Sequence, residues 1–142
     1  MAQSAPSGAE KQIRRSVWMF EDLEYSLKLV PDEAERFYGL ALVQVMLGKF
    51  LDAVKSLRLA LESNPQHLRA LSLIGELNFK LGGYEQAADY LEQLVSLEPG
   101  NITAITWLCM AYHCLGHKGK ALAKQSLLQE IAPDLIVTLL NK

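Results

Sequence analysis

Three side chains of this 142-residue sequence have the types and spacing that could hold a metal ion: Cys109, His113 and His117. Spaced four residues apart, they fall on one face of a helix, and a thiolate with two imidazoles suits zinc. One helix rarely supplies a whole ligand set, and no convincing fourth ligand is in view. His117 also follows Gly116, in the turn just after a helix end. Packing is therefore the expected role of Cys109, and no metal or other cofactor is expected.

No other constellation offers chemistry. A Gly-rich phosphate loop, a nucleophile elbow and a metalloprotease histidine pair are all missing, and Gly82-Gly83 reads as a turn between helices. Nothing pairs an acid, a base or a nucleophile, so the chain is not expected to be an enzyme. His67, after "NPQ", is expected at a helix start, exposed and structural. Trp18 and Trp107 are expected to pack, and Glu21, Asp22 and Glu24 to form a solvated helix face. Cys109 and Cys114 lie about 140° apart around a helix, too far round to bond to each other, which is consistent with a reducing compartment.

Lys plus Arg number 14 and Asp plus Glu 16, a net charge of -2 without a basic block. Nucleic acid and acidic membrane are not expected partners. Half the residues are hydrophobic, a composition that folds. No apolar run reaches the ~18 residues of a membrane span, and "MAQSAPSGAEKQIRR" lacks the apolar core of a signal peptide. A soluble, cytoplasmic protein is expected.

The elements that position these residues follow a period. Pro31, Pro65, Pro99 and Pro133 stand 34 residues apart. Leu47-Gly48 recurs as Leu81-Gly82 and Leu115-Gly116, and Ala53 as Ala87 and Ala121. A fixed period of this kind marks stacked repeats. Each unit reads as two helices. Phe37, Leu40, Ala41 and Val45 have helical spacing in the first, and Phe50, Ala53, Val54, Leu57, Ala60 and Leu61 in the second. Glycine after the leucine suits a left-handed helix end, and the residue before each proline is pushed out of helical geometry. The small column Ala41, Gly75 and Cys109 and the alanine column predict close helix contact, where bulk would cost roughly 1–3 kcal/mol.

These columns, with Phe50 and Tyr84 after the turn and the closing proline, resemble the tetratricopeptide repeat over residues 32 to 133. The fold expected is an all-α solenoid of three helix-turn-helix repeats, with an N-terminal capping helix and a short C-terminal helix. Residues 1–9 read as a disordered tail, 10–30 as the capping helix (a half repeat), and 32–65, 66–99 and 100–133 as the repeats. Residues 134–142 read as a C-terminal partial helix. Met19, Leu23 and Leu27 give the capping helix one apolar face. Lys118 replaces an aromatic, Gln125 a leucine, and Leu94 and Leu128 stand where Ala60 does in the first repeat. The third repeat is expected to pack more loosely.

The resemblance implies a concave face, lined by the first helix of each repeat, that binds a protein or peptide. The residues it places there are Glu35, Tyr38, Leu42 and Val45, then Arg69, Ser72, Glu76 and Phe79, then Thr103, Thr106, Met110 and His113. The Lys, Arg and Asn clamp of the chaperone-binding branch is absent, since Tyr38, Leu42, Leu73, Thr103 and Thr106 occupy its places. An apolar groove remains, suited to a helical partner or extended anchors. "NPQHLRAL" and "WLCMAYHCLG" further resemble small chaperones of bacterial type III secretion, which implies an export subunit as cargo. The alternative is a self-assembling scaffold or adaptor that oligomerises through its terminal helices, with "DLIVTLL" at residues 134–140 as cap or interface. A homo-oligomer and a heterodimer both fit these readings.

Overall fold

A side chain within two residues of Pro31, Pro65 and Pro99 starts the helix that follows each. Asp32 Oδ1 accepts from the Glu35 amide at 3.2 Å, His67 Nδ1 from that of Ala70 at 3.1 Å, and Asn101 Oδ1 from that of Ala104 at 3.0 Å. Each bond satisfies an amide that the first turn leaves without a partner. In the computed structural model these caps open three of the six helices found among the described residues. The structure describes residues 25–134, together with Gly8 and Asp22. The helices are α1 (Glu33–Met46), α2 (Phe50–Ser63), α3 (Leu68–Lys80), α4 (Tyr84–Leu97), α5 (Ile102–Cys114) and α6 (Lys118–Ile131). The described residues contain no strand.

Each pair is joined by the same turn. Gly48, Gly82 and Gly116 have φ of 74°, 84° and 75°, the region glycine enters without a Cβ penalty. Around Gly82, its own amide donates to the Phe79 carbonyl at 3.0 Å, and the Gly83 amide donates to the Asn78 carbonyl at 2.7 Å. That pair of hydrogen bonds is the Schellman closure, and it repeats at Gly48 and Gly116. The short turn folds the second helix antiparallel onto the first.

The small columns stand where the helices touch. Ala41 and Ala53 are fully buried in one core cluster, with Val54, Leu57, Ala60, Ala70, Ile74 and Leu77. A second cluster takes Leu71 from α3 and joins it to residues of α4, α5 and α6. Helix α3 therefore belongs to both cores, which ties each repeat to the next as a solenoid requires. Leu57, Leu71, Ile74, Leu91, Leu94, Ile105 and Leu108 are the largest fully buried side chains. Each contributes about 1.5–3 kcal/mol.

The third repeat is the thinnest. Five residues are buried in α2 and five in α4, but only Ala121 and Leu128 in α6. Gln125 is exposed. Leu94 and Leu128 are both buried, so the larger side chain is accommodated where Ala60 stands in the first repeat.

At the front, the helical turn at residues 25–28 lies against α1, and a Cβ on Gly39 would collide with Leu27. The rest of the expected capping helix, including Trp18, Met19 and Leu23, lies outside the described residues, as do residues 135–142 of the expected C-terminal helix. The expectation that His67 is exposed is overturned: it is buried, at 6% exposure. Capping draws Nδ1 toward the backbone of α3, and Nε2 then meets Glu35 of the preceding repeat.

Candidate protein-binding face

The first helices α1, α3 and α5 share one layer. Glu35 of α1 reaches Arg69 of α3, and Phe79 of α3 meets Trp107 of α5 at 5.0 Å between ring centroids. Residues of this layer fall into two groups, those engaged with one another and those left open.

Glu35, Tyr38 and Arg69 are engaged. The Arg69 guanidinium donates to both Glu35 carboxylate oxygens, at 2.7 and 2.8 Å. It also lies over the Tyr38 ring, 4.9 Å from the centroid. Tyr38 in turn packs against His67, with centroids 5.1 Å apart. His67 Nε2 lies 2.6 Å from Glu35 Oε1. Because Nδ1 accepts from the Ala70 amide, Nε2 carries the proton and donates to the carboxylate. Burial pushes the Glu35 carboxyl up, but the His67 and Arg69 hydrogen bonds and charges outweigh it and hold the group below its ordinary range.

Several other expected site residues are also engaged. Glu76 pairs with Lys80 at 2.9 Å, one helical turn away. Phe79 is half-buried between Trp107 and Tyr84, whose ring centroid is 5.2 Å distant, and belongs to the edge of the second core. Val45 packs against the first core. The Thr106 hydroxyl donates to the Ile102 carbonyl at 2.8 Å. Ser72 is half-buried, and Thr103 and His113 are exposed.

Among the expected site residues, the open apolar side chains are Leu42, 40% exposed, and Met110, 43% exposed, on the first and third helices of the layer. Met46 joins them at 78%. It stands four residues after Leu42, and that helical spacing was the signal in the sequence for including it. With Glu35 and Arg69 neutralising each other, the layer presents methionine and leucine more than charge.

The cysteine and histidine set is dispersed. Cys109 Sγ donates to the Ala121 carbonyl at 3.4 Å, and burial pushes its thiol pKa up. The His117 ring stacks against Tyr112, centroids 6.1 Å apart. Among the described residues no group of three His, Cys, Asp or Glu is placed to hold a metal ion. Cys109 and Cys114 are not bonded to each other. Away from the face, the buried Tyr112 hydroxyl donates to Glu92 at 2.6 Å, and Lys124 lies 3.4 Å from the same carboxylate.

Residues 23–94, half of the chain, match the family described as anaphase-promoting complex, cyclosome, subunit 3. Anaphase-promoting complex subunit 7 of Arabidopsis thaliana is 31% identical over 99 residues, which is 69% of this chain and 17% of that protein. The chain thus spans about a sixth of the relative's length. Among solved structures, MamA from Desulfovibrio magneticus RS-1 is 22% identical, with a TM-score of 0.74, covering 87% of this chain and 71% of that one. A tetratricopeptide repeat protein from Parabacteroides merdae is 21% identical, with a TM-score of 0.73, covering 88% and 54%. At these identities the likeness to solved structures speaks of fold, and the fold is the tetratricopeptide solenoid.

Proposed function

The chain belongs to the anaphase-promoting complex, cyclosome, subunit 3 family, of tetratricopeptide-like repeats, and on that premise we propose that it is a protein-protein interaction module whose α1, α3 and α5 layer takes an apolar segment of a polypeptide. The Arabidopsis relative is, as its name says, a subunit of a larger complex. This chain is read likewise, as a component that holds another polypeptide in place. The exposure of Leu42, Met46 and Met110, on a layer where Glu35 is paired with Arg69 and Glu76 with Lys80, supports the reading. Flexible methionines suit a surface that accommodates varied apolar anchors. The family is generally one of interaction and scaffold proteins, which agrees with a non-enzymatic role. A narrower role as a type III secretion chaperone has no support from the relatives named above. No helix among the described residues is long and apolar enough to cross a membrane; a cytoplasmic location remains part of the proposal.

The test substitutes Leu42→Glu together with Met110→Glu and leaves Phe79 alone, because Phe79 packs against Trp107 and Tyr84. Each change should cost about 1.5–3 kcal/mol of binding. Captured polypeptides are identified from the native host with the unaltered chain, and their affinity is then measured for both forms. The variant should keep its helical circular dichroism and lose the partner. Undiminished affinity in a folded variant would refute the reading. The scaffold alternative is checked by light scattering of the full chain against one ending at residue 134.

A further inference from the structure

The same position can be compared in all three repeats. Val54 is 6% exposed and Ala88 4%, but their counterpart Leu122 is 61% exposed. Leu57 and Leu91 are buried, and Gln125, next in that column, is exposed. In the first two repeats the column is covered by the helix that follows, α3 against α2 and α5 against α4. Behind α5 and α6 the corresponding space is a groove of about 500 Å³, lined by Cys109, His113, Cys114, Lys118, Leu122 and Gln125 among others.

We propose that this groove docks a helix of a partner polypeptide, amphipathic, with an apolar stripe and acidic residues beside its C-terminal turn. The occupant is a helix because α3 and α5 fill the equivalent slots. Their buried faces supply the pattern: Ala104, Ile105, Leu108, Ala111 and Tyr112 in α5. The four-residue link between α4 and α5 makes those helices antiparallel. A helix in the next slot therefore runs antiparallel to α6 and ends beside its N-terminus. There the charge is one-sided. The first turn of α6 carries no acid, whereas α2 has Asp52 and α4 has Glu85, and Lys118 of that turn lines the groove. The positive end of the α6 helix adds to Lys118. Acidic groups on the partner are attracted to this end, and basic ones are repelled. This surface is distinct from the open side chains of the α1, α3 and α5 layer, although Met110 and His113 border both.

The probe is a fluorescein-labelled peptide of the α3 sequence, residues 67–81, stapled on its exposed face to hold the helix. A second peptide carries Lys80→Glu, which makes its last turn acidic. Fluorescence anisotropy should show both peptides binding, the acidic one about threefold more tightly. Leu122→Glu in the protein should weaken binding at least about tenfold. Lys118→Glu should abolish the preference for the acidic peptide. Leu42→Glu should leave the affinity for these two groove peptides as it was, whatever it does to the inner layer's partner, which separates the two sites. Bound peptide should also slow modification of Cys114 by a thiol reagent.

Failure of both peptides to bind, or indifference to Leu122→Glu in a folded variant, overturns the proposal. Binding that appears only after residues 135–142 are removed would make the chain's own end the occupant. Self-association without peptide, abolished by Leu122→Glu, would make the occupant a second copy.

Discussion

Leu91 closes on Gly75 so tightly that a Cβ on the glycine would stand 2.8 Å from both the Cγ and the Cδ2 of the leucine. Leu91 is buried and has nowhere to swing. Gly75→Ala gains up to about 1 kcal/mol of helix propensity and loses about 1–3 kcal/mol to overpacking. A net destabilisation of about 1 kcal/mol is expected, read as a lower urea midpoint. In a Leu91→Ala background, the same change should become neutral or stabilising. Equal effects in both backgrounds would mean the helices have room to part.

His67 makes two bonds that one substitution removes. His67→Ala deletes the cap of α3 and a donor to Glu35, at an expected cost of about 2 kcal/mol. His67→Asn restores the cap alone and should recover about half of that. The Glu35 carboxyl is held below its ordinary range in the folded chain. Its contribution is therefore present above the unfolded value near 4.5 and is lost as pH falls through the lower folded value. The stability gap between the unaltered chain and Glu35→Gln should narrow as acid is added below that point. A gap that stays constant with pH would contradict the arrangement.

Tyr112 should ionise only well above the ordinary range of a tyrosine. Burial, then its hydrogen bond to Glu92 and the charges of Glu92 and Asp89, raise its pKa well above the ordinary value of 10. This contribution to stability is full below pH 10 and disappears as pH rises toward the folded value. The absorbance difference between the unaltered chain and Tyr112→Phe should show this ionisation displaced well above pH 10 in the folded state and returned toward 10 on unfolding. Normal titration of Tyr112 in the folded state would show that the hydroxyl is not held by Glu92.

Much of the architecture was legible as repetition. Gly48, Gly82 and Gly116 follow a leucine at one period, and all three have the positive φ their position implied. The small column predicted close contact, and Gly75 against Leu91 is that contact. The candidate face was less legible, because its residues differ from repeat to repeat. Periodicity alone does not say that Tyr38 and Arg69 engage each other while Leu42 remains open. One signal was available: Glu35 and Arg69 are opposite charges one period apart, so stacking brings them together. His67 was misjudged because helix starts are usually wet, and its burial depends on a carboxylate from the neighbouring repeat.

The column that begins with Glu35 continues as Arg69 and then Thr103: negative, positive, neutral. The apolar columns recur from repeat to repeat, with departures such as Leu122 and Gln125 in the third, and this charged column differs at every step. Only the first and second repeats carry the charges that attract at that seam. The bridge thus marks the first seam with a complementary pair that the second seam lacks, as a key marks one connector and not its twin.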